Sequence, residues 1–356
     1  MKEHHRIIII GAGLSGLYIA WQLKQHNLDV IVLEARQRCG GRILSMTHHT
    51  DRYDMGPAWV WPQLQPRLKN LIDELNLNVF PQFIDGDMLY EKSAAEIERI
   101  NGQSSHQHSY RLENGNASLI DSLLCKLSND TVHLNTEVRS INTDTCTIET
   151  LRNGKAHEYT ADKIILALPP RLFMQNIKIN PAFDEAIIKA FNNTPTWMSG
   201  HSKIMFIYDK PFWRDNNLSG EVFSHIGPLS EIYDGSPVNN AFFALTSFVG
   251  LNAHQRQQID REQLITLCLA QLQRLFGEQS LNTINITIKD WSEDQYTTTP
   301  LDLNSPMYHP QYADDLPRGF YNHSLILAGT EVAREHGGYL EGALESADEA
   351  IKLLNR

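Results

Sequence analysis

The sequence predicts an α/β fold in which a parallel-sheet domain is interleaved along the chain with a mixed-sheet α+β domain. An uninterrupted run of isoleucines at 7–10 precedes a glycine turn and a helix, and such runs form parallel strands that are covered on both faces. A second apolar strand is predicted at 30–33. Apolar runs of the same kind return at 164–168 and 325–328, which indicates that distant segments of the chain rejoin one sheet.

The turn after the first strand has the spacing Gly-x-Gly-x-x-Gly, at Gly11, Gly13 and Gly16. In a Rossmann-like domain the first glycine allows a tight turn, the second lets the backbone approach a pyrophosphate, and the third lets helix and strand pack closely. The phosphates would bind the free amides at the helix start, near Leu14 and Ser15. Because the turn follows a strand and opens a helix, it predicts a bound dinucleotide.

An acidic residue, Glu34, ends the second strand close to the expected spacing of about 20 residues from the glycine turn, where a carboxylate accepts hydrogen bonds from a ribose. A carboxylate there also repels a 2'-phosphate, which disfavours NADP. The choice between NAD and FAD depends on the next loop, whose two glycines let it pass close to a bound ligand and whose arginines bring positive charge towards phosphates. A domain that binds only NAD does not require this loop, and FAD is therefore favoured over NAD. The loop residues assigned to the cofactor are Ala35, Arg36, Gly40, Gly41 and Arg42.

The pattern Glu-Ala-Arg-x-Arg-x-Gly-Gly-Arg at 34–42 resembles the signature of the flavin-containing amine oxidases. The resemblance continues along the whole chain and implies FAD-dependent oxidation of an amine to an imine, with oxygen as acceptor and hydrogen peroxide as product. It implies a backbone close to the flavin ring at 56–58, a backbone contact to adenine at Val138, and a last helix whose positive N-terminus faces the flavin. Such a helix end stabilises negative charge on the reduced ring. The further cofactor residues assigned in this way are Gly56, Pro57, Ala58, Val138, Gly329, Glu331, Gly338, Tyr339, Leu340 and Ala343.

Two residues are expected to take part in catalysis, Lys203 and Tyr339. Lys203 shares one face of a predicted strand with Met205 and Ile207, and a lysine at a strand start often reaches solvent instead. The resemblance favours the other interpretation, in which Lys203 holds a water against the flavin nitrogen that accepts hydride. Tyr339 matches one wall of an aromatic cage in front of the flavin.

The segment 291–301 departs from the family pattern. It lacks the cysteine that tethers flavin in many monoamine oxidases, so we expect noncovalent FAD. In the same register Leu301 replaces the second cage tyrosine, and Tyr308 or Tyr312 is a candidate for supplying an aromatic ring instead. Two alternative functions stay open at this point: a flavoprotein oxidase or desaturase acting on a non-amine, and a flavin-binding protein without turnover.

The predicted FAD-binding domain comprises 1–62, 108–198 and 293–356, and the substrate domain comprises 63–107 and 199–292. Within the substrate domain we expect a short polar helix at about 93–100, where relatives usually insert a larger helical region. The cavity is therefore expected to be smaller or more open. Further elements are predicted as follows: helices at 66–76 and 261–276, strands at 132–138, 220–226, 241–249 and 284–291, and a hairpin turn at Asn153-Gly154.

Composition narrows the class of protein. The 356 residues carry a net charge of -11, which disfavours a nucleic-acid or anionic-membrane partner. Four scattered cysteines without CxxC spacing, no apolar leader and no long apolar run predict a cytoplasmic protein without a transmembrane segment. The histidine pairs lack the spacing and further ligands of a metal site, and Ser15 is not in a Gly-x-Ser-x-Gly elbow. We therefore expect no metal and no serine hydrolase, and the sequence does not determine the oligomeric state.

Overall fold

The computed structural model describes residues 2–102, 104–239, 241–305, 308–313 and 316–354. Its α-helices are α1 (Leu14–Gln25), α2 (Pro66–Glu74), α3 (Ala117–Cys125), α4 (Pro170–Asn176), α5 (Glu185–Asn192), α6 (Phe212–Asp215), α7 (Ala253–Arg256), α8 (Arg261–Phe276) and α9 (Leu340–Leu354). Its strands are β1 (Lys2–Ile10), β2 (Val30–Leu33), β3 (Ser45–His48), β4 (Asp51–Asp54), β5 (Val79–Pro81), β6 (Asp87–Ser93), β7 (Glu96–Ile100), β8 (Tyr110–Leu112), β9 (Val132–His133), β10 (Thr136–Asn142), β11 (Thr147–Arg152), β12 (Lys155–Leu166), β13 (Lys178–Asn180), β14 (Ser202–Tyr208), β15 (Leu218–Ser224), β16 (Leu229–Asp234), β17 (Phe243–Val249), β18 (Asn285–Asp290), β19 (Gly319–Phe320) and β20 (Leu325–Leu327).

The first sheet is built around β1, which pairs in parallel with β2 on one side and β12 on the other. The strand order is β13-β10-β11-β12-β1-β2-β9, and β20 pairs in parallel with the last residues of β12. Ile7 and Ile9 pack into a core with residues of α1, α3 and α9, whereas Ile8 and Ile10 pack into the core on the opposite face. The predicted Rossmann-like sheet, covered on both faces, is confirmed.

The second sheet is mixed and has the order β18-β14-β17-β16-β15-β6-β7. Its neighbouring strands are antiparallel except β6 and β15. One face of β14, with Ile204 and Phe206, packs on α8. The opposite face presents Met205 and Ile207 to the β3–β4 hairpin. Since side chains alternate along a strand, Lys203 lies on this second face, which is directed towards the first sheet.

Several predicted elements need correction. The segment at 93–100 is not a helix, because β6 and β7 form an antiparallel hairpin that extends the second sheet. Its Ala and Glu residues favour a helix locally, but strand pairing overrides this weak preference. The predicted strand at 132–138 is two strands, β9 and β10, separated at Asn135, whose φ of 51° interrupts an extended chain. β16 was not predicted.

The division into two domains stays a prediction, and one segment packs differently from it. Residues 63–107 are assigned to the substrate domain, yet Leu68, Leu71 and Ile72 of α2 enter the core of the first sheet. The N-terminus of α2 is also held by Glu341 of α9, whose carboxylate accepts the Leu68 amide at 2.9 Å. The amphipathic pattern of a helix indicates that it buries one face, but it does not indicate which core receives that face.

Three further findings concern membrane spans, cysteines and metal ligands. Among the described residues no helix has the length and apolar character required to cross a membrane. All four cysteines, Cys39, Cys125, Cys146 and Cys268, are free thiols. The described part of the chain also has no group of three or more potential metal ligands.

Candidate active site

A cavity of about 300 Å³ lies where the carboxyl ends of β1 and β2 meet the inner face of the second sheet. It brings together segments that are far apart in the sequence. Of the predicted site residues, those that line the cavity are Gly11, Gly13, Leu14, Ser15, Glu34, Arg36, Gly40, Gly41, Arg42, Gly56, Pro57, Ala58, Lys203, Gly329, Gly338, Tyr339, Leu340 and Ala343.

The glycine turn leaves one end of the cavity open for a ligand. Gly11 has a φ of 106°, and a Cβ there would lie 2.7 Å from the Ala167 carbonyl oxygen. A Cβ on Gly16 would lie 2.0 Å from the Gly11 oxygen, whereas nothing lies within 4 Å of one built on Gly13. Gly13 also caps α1 without a side-chain hydrogen bond, so the first helical amides have no side-chain acceptor there. This arrangement fits a pyrophosphate.

Glu34 is buried at the end of β2 and holds the glycine turn. One carboxylate oxygen accepts the Ala12 amide at 2.9 Å, and the other accepts the Arg36 amide at 2.8 Å. Each carboxylate oxygen has a second lone pair, so these bonds leave acceptor capacity towards the cavity. The residue is therefore in the position that a ribose-binding carboxylate requires.

The two arginines of the second loop that line the cavity, Arg36 and Arg42, are neutralised by carboxylates. Arg36 contacts Asp294 at 2.6 Å and donates to the Thr297 hydroxyl at 2.9 Å. Arg42 contacts the buried Glu331 at 2.6 Å. Burial works against the charge of Arg42, but Glu331 outweighs it and raises the Arg42 pKa. The two side chains line the cavity as ion pairs, not as free positive charges.

Lys203 is buried in the wall of the cavity, with only 3% of its surface exposed. Its ammonium donates to the backbone oxygens of Asp54 at 3.1 Å and Gly56 at 2.8 Å, and it lies 5.6 Å from the centre of the Trp59 ring. Burial lowers the Lys203 pKa to about 8, partly offset by the Asp54 carboxylate. The alternative in which Lys203 reaches bulk solvent is wrong.

The loop before α9 is organised by Glu345. Its carboxylate accepts the Arg334 amide at 2.7 Å and the His336 amide at 3.2 Å. Gly338, with a φ of 83°, then directs the chain into Tyr339 at the cavity wall. The Tyr339 ring stacks on His309, with centroids 4.7 Å apart and planes 10° apart.

Four predicted cofactor residues do not line the cavity: Gly16, Ala35, Val138 and Glu331. Gly16 and Glu331 support residues that do, through close packing on Gly11 and the ion pair with Arg42. The Val138 side chain belongs to a hydrophobic core. Ala35 is next to Glu34 in sequence.

A second aromatic wall does not come from residue 301, where the sequence has leucine, or from Tyr308 or Tyr312. Leu301 is 52% exposed and is not among the cavity residues in the described part of the chain. Tyr308 is exposed, and Tyr312 donates its hydroxyl to the Pro195 oxygen at 3.2 Å; neither ring lines this cavity among the described residues.

Trp197, His201 and Phe248 are among the cavity residues that sequence reasoning missed. Because side chains alternate between the two faces of a strand, His201 could have been predicted on the same face as Lys203, which follows it by two residues. Phe248 pairs with Lys203 across β14 and β17, which only the sheet register reveals. Trp197 lies in a loop that carries no motif.

The chain was compared with known proteins. A family model described as "Flavin containing amine oxidoreductase" matches residues 84–350. The chain therefore belongs to the flavin-containing amine oxidoreductase family. A second model, an NAD(P)-binding Rossmann-like domain, matches residues 9–75, which include the glycine turn and Glu34. The cofactor of this family is FAD, and the residues around the glycine turn fit it.

Individual relatives agree with this assignment. The chain is 25% identical to a Dictyostelium discoideum protein named "Probable flavin-containing monoamine oxidase A", over 97% of this chain and 96% of that relative. Among solved structures, a double mutant of putrescine oxidase superposes with a TM-score of 0.82 at 20% identity, with both chains fully covered. Cyclohexylamine oxidase from Brevibacterium oxydans superposes with a TM-score of 0.81 at 16% identity, over 99% of this chain and 100% of the other. These two likenesses establish the shared fold.

Proposed function

We propose that the protein oxidises an amine to an imine, with FAD as cofactor and oxygen as the final acceptor, which leaves as hydrogen peroxide. The observation that carries this proposal is the cavity, which joins the dinucleotide-binding turn to a chamber walled by Lys203, Tyr339 and aromatic side chains. The Rossmann-like turn alone would suit many redox enzymes. A buried ammonium beside aromatic rings is suited to stabilising negative charge that develops during a reaction in a water-poor site.

The residues that would hold FAD follow from the geometry. The uncapped start of α1 suits the pyrophosphate, Glu34 suits the ribose hydroxyls, and the segment at 56–58 together with the start of α9 suits the ring. FAD supplies the two-electron redox chemistry when it is bound. None of the four cysteines lines the cavity in the described part of the chain, which supports noncovalent binding.

The protein's own residues prepare the substrate for oxidation. An amine must lose its ammonium proton before it can be oxidised, and an apolar, water-poor chamber lowers its pKa because burial disfavours the charged form. Lys203 adds a fixed positive charge that further disfavours a neighbouring ammonium and stabilises negative charge that develops in the cavity. Tyr339 supplies an apolar wall that orients the amine.

Three other features belong to the same proposal. The FAD-binding domain comprises 1–62, 108–198 and 293–356, with 63–107 and 199–292 forming the substrate domain apart from the packing of α2 described above. The four free cysteines fit a reducing, cytoplasmic location. Oxygen and a small-molecule amine are the expected reaction partners.

A peroxide assay tests the proposal directly. The purified protein, reconstituted with FAD, is screened with primary, secondary and polyamines and with amino acids, and peroxide is detected with a peroxidase-coupled dye. Catalase addition is the control. We expect at least one amine to bleach the flavin absorbance without oxygen and to yield peroxide with oxygen. If no amine reduces the flavin, although dithionite does, amine oxidation is refuted.

A further inference from the structure

We infer that the substrate is a monoamine with an apolar, ring-sized substituent, and that Trp197 is a specificity-determining wall of its binding site. This inference rests on the proposed amine oxidation and extends it by naming the substrate class. It depends on two observations: a continuous aromatic surface beside Tyr339, and the lack, among the described cavity residues, of a carboxylate that could pair with a second ammonium.

Aromatic rings follow one another along the cavity wall beside Tyr339. His309, which stacks on Tyr339, meets Trp197 at a centroid distance of 5.0 Å. Trp197 meets His201 at 5.1 Å, and His201 meets Phe248 at 6.4 Å. Except for His309, these rings line the cavity. A surface of this kind gains free energy mainly by removing apolar groups from water.

Trp197 takes the place beside Tyr339 that residue 301 does not fill. A Cβ built on Gly338 would lie 3.0 Å from the Trp197 Cβ, so the tryptophan packs directly against the residue before Tyr339. Leu301, in contrast, is exposed and outside the cavity. The second aromatic wall thus comes from the loop before β14 and not from the loop after β18.

The loop that carries Trp197 is held in place. The Trp197 oxygen accepts a hydrogen bond from Arg42 at 3.2 Å, and the Pro195 oxygen accepts one from Tyr312 at 3.2 Å. Met198, which also lines the cavity, has a φ of 65°. Residues other than glycine rarely adopt this conformation, and it persists only where the surroundings maintain it.

Among the described cavity residues no acidic group is available for a second ammonium. Glu34 is the only carboxylate among the cavity residues of the described chain, and it lies at the glycine turn with its oxygens bonded to two amides. Glu231 is separated from the cavity by aromatic rings. It accepts the Tyr233 hydroxyl at 2.8 Å, and Tyr233 packs edge-on against Trp59 at 5.0 Å.

The basic residues of the described cavity do not favour a second ammonium either. Arg36 and Arg42 are paired with Asp294 and Glu331, and Lys203, which donates to two backbone oxygens, keeps its positive charge. Burying an ion without a partner costs several kcal/mol, and each 1.4 kcal/mol corresponds to a factor of about ten. The cavity therefore selects against diamines, even where their carbon chains fit.

Matched substrates test the inference. Cyclohexylamine and 1-aminopentane are compared with 1,5-diaminopentane, which differs from 1-aminopentane only by a terminal amino group. We expect kcat/KM at pH 7.5 to be at least about a hundredfold higher for each monoamine than for the diamine. Equal or higher kcat/KM for 1,5-diaminopentane overturns the substrate class.

Variants test the role of Trp197. Trp197→Ala should lower kcat/KM for cyclohexylamine by about tenfold or more, because a ring-sized contact is lost, while the value for ethylamine changes less. Trp197→Phe should restore most of the loss. Leu301→Ala is the matched control and should leave the ratio between the two amines unchanged. FAD content and melting temperature confirm that each variant is folded.

The possible results distinguish a wrong assignment of Trp197 from a wrong proposed function. If Leu301→Ala changes the ratio and Trp197→Ala does not, the wall is at residue 301 and our assignment of Trp197 is wrong. If the Trp197→Ala variant is unstable, the ratio in Trp197→Phe decides, since a shift against cyclohexylamine supports the assignment and an unchanged ratio overturns it. If no amine reduces the flavin in any variant or in the parent, the proposed function itself fails.

Discussion

Replacement of Lys203 by methionine is the most informative perturbation of the site. Lys203 is almost fully buried, donates two hydrogen bonds to backbone oxygens and has a pKa of about 8. An ammonium has three N–H donors, so these two bonds leave one donor for a water molecule or another group in the cavity. Methionine keeps most of the stem volume and removes the charge. FAD content should therefore survive the change.

The structure sets the size of the expected effect. At pH 7, one unit below its pKa, about ten of eleven Lys203 side chains carry the charge, whereas about one in eleven does at pH 9. A preorganised charge or donor in a dry site typically contributes about 2.7 to 4 kcal/mol, or about 10²–10³ in rate. We therefore expect Lys203→Met to slow reoxidation by oxygen about a hundredfold at pH 7. Reoxidation of the parent should fall about tenfold from pH 7 to pH 9, and that of the variant should stay nearly flat.

Stopped-flow absorbance separates the two half-reactions. The enzyme is reduced without oxygen by an amine, or by light in the presence of EDTA, and is then mixed with oxygenated buffer across this pH range. Lys69→Met is the matched control, because Lys69 is exposed on α2 and forms a surface ion pair with Asp73. If Lys203→Met is reoxidised at pH 7 as fast as the parent, the buried charge has no part in the reaction with oxygen.

Four other predictions follow from the same geometry. FAD should leave the protein on acid precipitation and colour the supernatant; flavin that remains in the pellet would mean a covalent bond. Glu34→Gln should weaken FAD binding by about 1.5 to 3 kcal/mol in a fluorescence titration, and unchanged affinity would place the carboxylate outside the ribose site. Glu345→Ala should destabilise the protein by about 1 kcal/mol in chemical denaturation, since it leaves the partly buried amides of Arg334 and His336 without their acceptor; an unchanged midpoint would contradict this. Between pH 8 and 10.5 the unfolded chain holds a proton on Lys203 that the folded protein has lost. As pH rises through this range, the free energy of unfolding of the parent should therefore increase by up to about 3 kcal/mol relative to that of Lys203→Met. A constant difference would refute the lowered Lys203 pKa.

Much of the cofactor site could be predicted because its signals are local. The turn at 11–16 is specified by backbone freedom and close packing at particular glycines, and these properties belong to a few consecutive residues. The parallel strands around it follow from short apolar runs. The shared face of Lys203, Met205 and Ile207 follows from the two-residue period of a strand. The family pattern at 34–42 then connected these local signals with FAD-dependent amine oxidation.

Errors arose where local preference and long-range pairing disagree. Residues 93–100 contain helix-favouring Ala and Glu, but pairing of β6 with β15 and β7 makes them a hairpin. The apolar stripe of α2 was recognised, but the core that receives it was not. In both cases the deciding contacts lie far along the chain, where a window of consecutive residues carries no signal.

The sequence by itself determined the α/β class, the dinucleotide turn, the carboxylate at the end of β2 and the lysine-bearing face of β14, because each depends on spacing within a short segment. Only the tertiary structure decided that Arg36 is neutralised by a carboxylate 258 residues away, that Lys203 is buried, and that Trp197 rather than Leu301 stands beside Tyr339. These outcomes depend on how two sheets are placed against each other and on which loops their packing excludes from water. The spacing of residues along the sequence does not determine such distances, so the cavity walls can be identified only from the folded structure.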